Sequence, residues 1–141
     1  MRSINHLLSE IDAAYHEASL RLGLADSAMQ ILYILCSQGG ACLLRDICRQ
    51  SGTSKQTINS ALRKLETEGL VCAERCCGKQ KMVRLTEQGR HRAEQTVARL
   101  MAVENSVLST WSKQELTLYL SLTQRYLTSF KEKIKELSTG E

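Results

Sequence analysis

The sequence predicts a mainly α-helical protein with a small β-hairpin, and three observations lead there. Proline is absent and aromatics are few in a 141-residue chain that is 43% hydrophobic, a composition suited to continuous helices packed with Leu, Ile and Ala. Apolar residues recur at helical spacing along most of the length. That pattern gives way to two short extended runs, Leu70 to Arg75 and Lys81 to Leu85, around a tip that contains Gly78, as a hairpin requires.

Taken in order, residues 3 to about 22 place Ile4, Leu7, Leu8, Ile11, Tyr15, Ala18 and Leu22 on one helical stripe, which needs a partner. Asp26-Ser27 opens a second helix. Its Met29, Ile31, Leu32, Tyr33, Leu35 and Cys36 make it apolar nearly all round, so it is expected to be the buried central helix, stopped by Gly39-Gly40. Ala41-Cys42-Leu43 is long enough for one strand pairing. Leu44 to Gln50 gives a short helix with Leu44, Ile47 and Cys48 inward, and Ser51-Gly52-Thr53 turns the chain into the stretch that the rest serves.

That stretch, Thr53 to Gly69, carries its own boundaries. Thr53 followed three residues later by Gln56 is a capping-box pattern, and Gly69 supplies the left-handed residue that ends a helix. Ile58, Ala61, Leu62 and Leu65 share one side, while Lys55, Gln56, Asn59, Ser60 and Arg63 fan across the other. A merely solvated face would mix Glu with Lys, yet Glu66 and Glu68 wait until the last turns, where acid opposes the helix dipole. The early turns offer a base-reading set instead. Gln and Asn bridge adenine, Arg bridges guanine, and Ser or Thr bonds bases or phosphates. Ser54, Lys55, Gln56, Thr57, Asn59, Ser60, Arg63 and Lys64 are the candidate DNA contacts of this helix. A short helix, a Gly-containing turn and a helix with such a face make a helix-turn-helix. With the basic hairpin after it the unit reads as a winged helix, with Arg75, Lys79, Gln80, Lys81 and Arg84 as the wing's candidate contacts.

Charge agrees with this placement. The chain carries +4 overall, but residues 44 to 84 hold nine Lys or Arg against four acids, so the basic charge gathers around the candidate recognition helix, the footprint of a phosphate-binding surface. Leu85-Thr86-Glu87-Gln88-Gly89 then opens a long helix expected to run to about Leu108, with Ala93, Val97, Leu100, Met101 and Val107 inward. Ser112 to Glu115 is a second capping box, starting a last helix to about Leu137. There Leu116, Leu120, Thr123, Leu127, Phe130, Ile134 and Leu137 form a heptad seam, widened by Tyr119, Leu122 and Tyr126 beyond what one partner helix covers. Pairing this helix and the amphipathic first helix across a two-fold axis would cover both. The expected organisation is one domain over residues 1–141: a winged helix-turn-helix core at 25–89, and long N- and C-terminal dimerisation helices at 1–24 and 90–141.

Other classes find less support. No P-loop, nucleophile elbow or paired carboxylate spacing is present, and His6, His16 and His91 are scattered, so no enzyme and no cofactor are expected. No apolar run approaches a membrane span, and the first residues lead into an amphipathic helix instead of a signal-peptide core, so a cytoplasmic location without membrane partners is expected. Six cysteines without an export signal argue against a disulfide framework. Cys36, Cys42, Cys48 and Cys72 fall at positions expected to pack as small hydrophobes. Cys76 and Cys77 sit in the wing beside Arg75, Lys79 and Lys81, a setting that favours reactive thiolate; a thiol-based redox switch there is one alternative. Zinc is disfavoured, because Cys72, Cys76 and Cys77 lack a fourth ligand at suitable spacing. A winged helix that binds protein without DNA specificity is the other alternative.

Over essentially its whole length the chain resembles the MarR family of winged-helix transcriptional regulators. Three motifs carry the resemblance: Asp26-Ser27-Ala28-Met29-Gln30-Ile31-Leu32; Ser54-Lys55-Gln56-Thr57 with Leu62, Lys64, Leu65, Glu66, Gly69 and Leu70; and Val83-Arg84-Leu85-Thr86-Glu87-Gln88-Gly89, the most specific. The resemblance implies a homodimer joined by its first and last helices, bound to palindromic double-stranded DNA, repressing nearby genes and released by a small-molecule effector or an oxidant. It also places a ligand cleft between the first, second and fifth helices, where Tyr15, His16 and Tyr33 are the candidate lining residues. One departure stands in the wing. The family's Asp-x-Arg falls here on Cys77-Gly78-Lys79, and lysine lacks arginine's planar fork, so weaker and less shape-sensitive wing binding is expected.

Overall fold

The computed structural model describes residues 3–76, 78–137 and 139–140. The chain forms two compact units, Met1–Met101 and Ala102–Glu141. In the first, helices α1 (Ile4–Arg21) and α2 (Asp26–Ser37) lead into strand β1 (Ala41–Leu43), followed by α3 (Leu44–Ser51), α4 (Lys55–Thr67), β2 (Val71–Arg75), β3 (Lys81–Leu85) and α5 (Glu87–Gln95). Helix α6 (Val97–Leu108) spans the boundary at Met101, and α7 (Lys113–Ile134) lies in the second unit.

The helix expected to be central is so. Met29, Ile31, Leu32, Ile34 and Leu35 of α2 are buried, and α2 packs on α1, α3, α4 and α5 and on strands β1 and β3. From α3 comes Ile47 and from α4 come Ile58, Leu62 and Leu65, joined by Leu70, Val71, Val83 and Leu85 of the sheet region and by Ala93 and Val97. The strands run in the order β1-β3-β2, all antiparallel. Residue Val83, opposite both Cys42 and Ala73, seats the sheet on the core.

Two boundaries differ from the sequence expectation. Helix α4, the candidate recognition helix, is capped by Ser54, whose side chain accepts from the Thr57 amide, and not by Thr53 in a box with Gln56. Thr53 is engaged elsewhere, its hydroxyl donating to Gln30 Oε1 at 3.0 Å. The single long helix expected from residue 86 to 108 is two helices. Thr96, 2% exposed, leaves helical geometry at φ −124 and ψ −88, while its hydroxyl donates to the Arg92 carbonyl at 2.7 Å. Such bonding back to the previous turn bends helices, but at Thr117 and Thr123 it leaves α7 continuous, so it does not by itself explain the break. Beyond this break only Val97 of α6 is buried, so Val107, expected inward, is 56% exposed.

Where the recognition helix ends, three elements are stitched together. Gly69 follows the Glu68 C-cap at φ 76; its amide donates to the Glu66 carbonyl and that of Leu70 to the Leu65 carbonyl, each at 3.0 Å. This is a Schellman stop, and glycine takes its left-handed residue without a Cβ clash. Thr86 then binds the same corner: its amide donates to the Leu70 carbonyl at 3.0 Å and its hydroxyl to the Gly69 carbonyl at 2.6 Å. The same hydroxyl oxygen caps α5 by accepting from the Gly89 amide at 2.9 Å. A Cβ placed on Gly89 would lie 1.8 Å from the Leu70 carbonyl oxygen, a separation no side chain tolerates. The Leu-Thr-Glu-Gln-Gly run therefore joins β3, α5 and the end of α4 in five residues.

Gly89→Ala should accordingly destabilise the protein by at least about 2 to 3 kcal/mol, since the obstacle is backbone and cannot rotate away. Urea unfolding of wild type and variant measures it. Equal midpoints would show that the corner does not depend on this close approach.

Candidate nucleic-acid interface

Because Ile58, Leu62 and Leu65 face the core, the opposite side of α4 points outward by helical geometry. Lys55, Gln56, Ser60, Arg63 and Lys64 are exposed and Asn59 is half-buried. Lys55, Gln56, Asn59, Ser60 and Arg63 together line an open hollow of about 510 Å³. Ser54 and Thr57 lie at the same end, where the Ser54 hydroxyl both donates to Thr57 Oγ1 at 2.8 Å and accepts from the Thr57 amide at 3.2 Å. No acid occupies the first turn, although the dipole would favour one there. An anion supplied from outside meets no like charge at that end.

The wing closes through the Cys76 amide, which donates to the Gln80 carbonyl at 2.8 Å. Gly78, Lys79 and Gln80 are exposed. Arg75 and Lys81 stand directly opposite one another in the β2–β3 register, an arrangement that costs stability when both carry the same charge. Arg84 falls on the other face of β3, opposite Cys72 and Ala41, so the pleat separates it from Lys81. Among the described residues none of Lys55, Arg63, Lys64, Arg75, Lys79, Lys81 and Arg84 takes part in an ion pair, whereas Arg45 and Arg49 both approach Asp46. Unpaired cations around one helix are a surface without its counter-charge.

The cysteines divide. Cys42 is buried, and Cys36 and Cys48 are half-buried against the core. Burial first, then the Asp46 charge, pushes the Cys42 thiol up, with Arg49 partly offsetting them, which makes it a poor nucleophile. Cys72 and Cys76 are half-buried in the hairpin, and Cys77, half of the candidate redox pair, lies outside the described residues.

The candidate cleft residues are placed as follows. Tyr15 is 37% exposed on α1, and Tyr33 packs half-buried against the core. His16 is committed to Asp26 at the start of α2, its Nδ1 lying 2.8 Å from the carboxylate. The Ser19 hydroxyl, on the one buried residue of α1, also reaches the Asp26 carboxylate. Sequence reading passed over Asp26 and Ser19 as polar partners. The signal was there in the residue types, but nothing in the spacing pairs one helix with the next.

A helix-turn-helix with an exposed polar recognition face and a hairpin beside it is a winged helix. Residues 22–76 match the family model of the MarR family. Comparison with curated protein sequences gives no match. Among solved structures, a MarR-family regulator from Neisseria meningitidis superposes at a TM-score of 0.85 with 17% identity over 94% of each chain. The PcaV transcriptional regulator from Streptomyces coelicolor, solved with its natural ligand, superposes at 0.66 with 18% identity over 89% of this chain and 92% of its own. NadR in complex with 4-hydroxyphenylacetate does so at 0.72 with 18% identity, over 87% and 91%. The fold is that of the MarR winged-helix regulators, and the resemblance read from the sequence is borne out.

Asp26 gives a pH test of the α1–α2 junction. The Ser19 hydroxyl first, and His16 second, hold its carboxyl below the ordinary 3.8. A depressed folded pKa contributes stability that is complete above the unfolded value and lost as pH falls through the folded one. With His16 and Asp26 side chains 58% and 57% exposed, the contribution is small, under about 1 kcal/mol. The stability difference between wild type and Asp26→Asn should thus shrink as pH drops from about 5 toward about 2. Urea midpoints across that range check it, and a difference that persists undiminished at the acid end would contradict it.

Proposed function

We propose that this protein is a sequence-specific, double-stranded-DNA-binding transcriptional regulator that works as a homodimer on palindromic sites, and not an enzyme. The observation that carries the reading is the outward face of α4, where Lys55, Gln56, Asn59, Ser60 and Arg63 share a hollow and the two cations lack carboxylate partners among the described residues. Bidentate amides and a guanidinium on a helix held by its far side are the means of reading base edges in a major groove. Phosphate is the anion that would relieve the opposed Arg75 and Lys81 of the wing.

Dimerisation is supported by two uncovered apolar surfaces. On α1, Ile4, Leu7, Leu8 and Ile11 are 44–59% exposed. On α7, Leu120, Leu127, Phe130 and Ile134 are 41–67% exposed, and no residue of the helix is buried. Single exposed hydrophobics are ordinary, but contiguous stripes on two helices are the mark of an interface. Pairing across a two-fold axis would set the two recognition helices over successive major grooves, with half-sites about 10 base pairs apart or a multiple of that. The ligand-bound structures of NadR and PcaV support a regulator that responds to a small molecule; the finer reading is a cytoplasmic repressor of nearby genes, released when such a molecule enters beside Tyr15, His16 and Tyr33.

With a duplex selected by the wild type from a random-sequence pool, Gln56→Ala or Arg63→Ala should each cost about 1 to 3 kcal/mol and relax preference at one base position. Unchanged affinity in folded variants would reduce this face to a solvated surface and favour a protein partner. Leu127→Asp combined with Phe130→Asp should lose the dimer in sedimentation and specific binding with it. A wild-type monomer that binds a single half-site tightly would defeat the dimer reading.

A further inference from the structure

Gln30 is out of place in its helix. Between Ala28 and Cys36 it is the one amide in a run otherwise made of Ala, Met, Ile, Leu, Tyr and Cys. It is half-buried, where a carboxamide needs a partner. That partner is Thr53, 23 residues on, whose hydroxyl donates to Gln30 Oε1 at 3.0 Å. Thr53 lies in the turn between α3 and α4, its amide donating to Ser51 Oγ at 3.2 Å, and the next residue, Ser54, is the cap of the recognition helix. One side-chain bond from the central helix thus grips the chain immediately before the recognition helix begins.

The far end of α4 is held by the hydrogen bonds of the Gly69–Thr86 corner, three turns away from the end that begins at Lys55. Between the two ends the grip is apolar: Ile58, Leu62 and Leu65 hold the helix against the core, but hydrophobic contact has no preferred direction, so it does little to align the first turn. A hydrogen bond is directional. The bidentate contacts that separate one base pair from another depend on the same kind of alignment, and Lys55, Gln56 and Asn59 lie in the first turns after Thr53. We propose that Gln30 is a positioning residue for sequence reading: through Thr53 it fixes the placement of the first turn of the recognition helix, without itself touching DNA. This role rests on the DNA-binding reading above and falls to the one amide of the Asp26–Leu32 motif.

The test uses the full chain as wild type, Gln30→Leu, Thr53→Val, the double variant and Thr53→Ser, with two readouts. Without DNA, amide hydrogen exchange over Ser54 to Ile58 should quicken in both single variants and return to the wild-type rate in Thr53→Ser, which keeps the hydroxyl. With DNA, the single variants should bind the selected duplex about fivefold more weakly, the worth of one hydrogen bond. Their affinity for an unrelated duplex of equal length should be unchanged, and the double variant should be no worse than either single. Both duplexes weakening together with the melting temperature would overturn the proposal in favour of plain packing, as would unaltered exchange. A wild type with no preference among duplexes would overturn the DNA-binding reading instead, and the exchange result would still decide whether the bond positions the helix.

Discussion

The close passage of Gly89 over the Leu70 carbonyl is the constraint on which the winged helix depends. With 1.8 Å between a hypothetical Cβ and the carbonyl oxygen, only glycine lets α5 start where it does. Once it starts there, the Thr86 hydroxyl reaches the Gly69 carbonyl and caps α5 with the same oxygen. The end of α4, the root of the wing and the first turn of α5 then share one set of hydrogen bonds. None of these three can shift far alone, so α4 and the basic hairpin, which also pack together through β2, keep a fixed relation.

Within that frame, the cations of α4 and the wing are left without carboxylate partners among the described residues. The chain has acids available, yet it places Asp46 beside Arg45 and Arg49. Arg75 opposite Lys81 is an unfavourable pair, and the first turn of α4 lacks the acid its dipole would welcome. Each of these lowers stability slightly in the isolated chain. Together they concentrate the positive potential that a phosphate backbone would neutralise.

Periodicity made most of the fold legible. The apolar face of α4, the all-round apolarity of α2 and the strand lengths of the hairpin are set by burial, and burial leaves a regular trace in sequence. The elements that were misplaced turn on choices between polar partners. Thr53 and Ser54 are both competent caps, and Thr53 is diverted by Gln30, a residue far away in sequence. The helix breaks at the buried Thr96, a change that the apolar periodicity around it does not announce. For the candidate site, residue types on an exposed face were readable because helical geometry alone puts them together. The Asp26 cluster was not, because it joins two helices across a turn.

Helix α7 has a complete capping box at Ser112 and Glu115 but no buried residue. A cap fixes where a helix starts and adds little to whether it persists, since helical order in proteins comes mainly from packing an apolar face. In the proposed dimer, cover over Leu120, Leu127 and Phe130 would therefore supply much of what keeps these 22 residues helical. If that cover is a second chain, abundance becomes a structural variable by mass action. A cell that makes few copies would hold a population of chains differing in shape, and not only in number, from one that makes many.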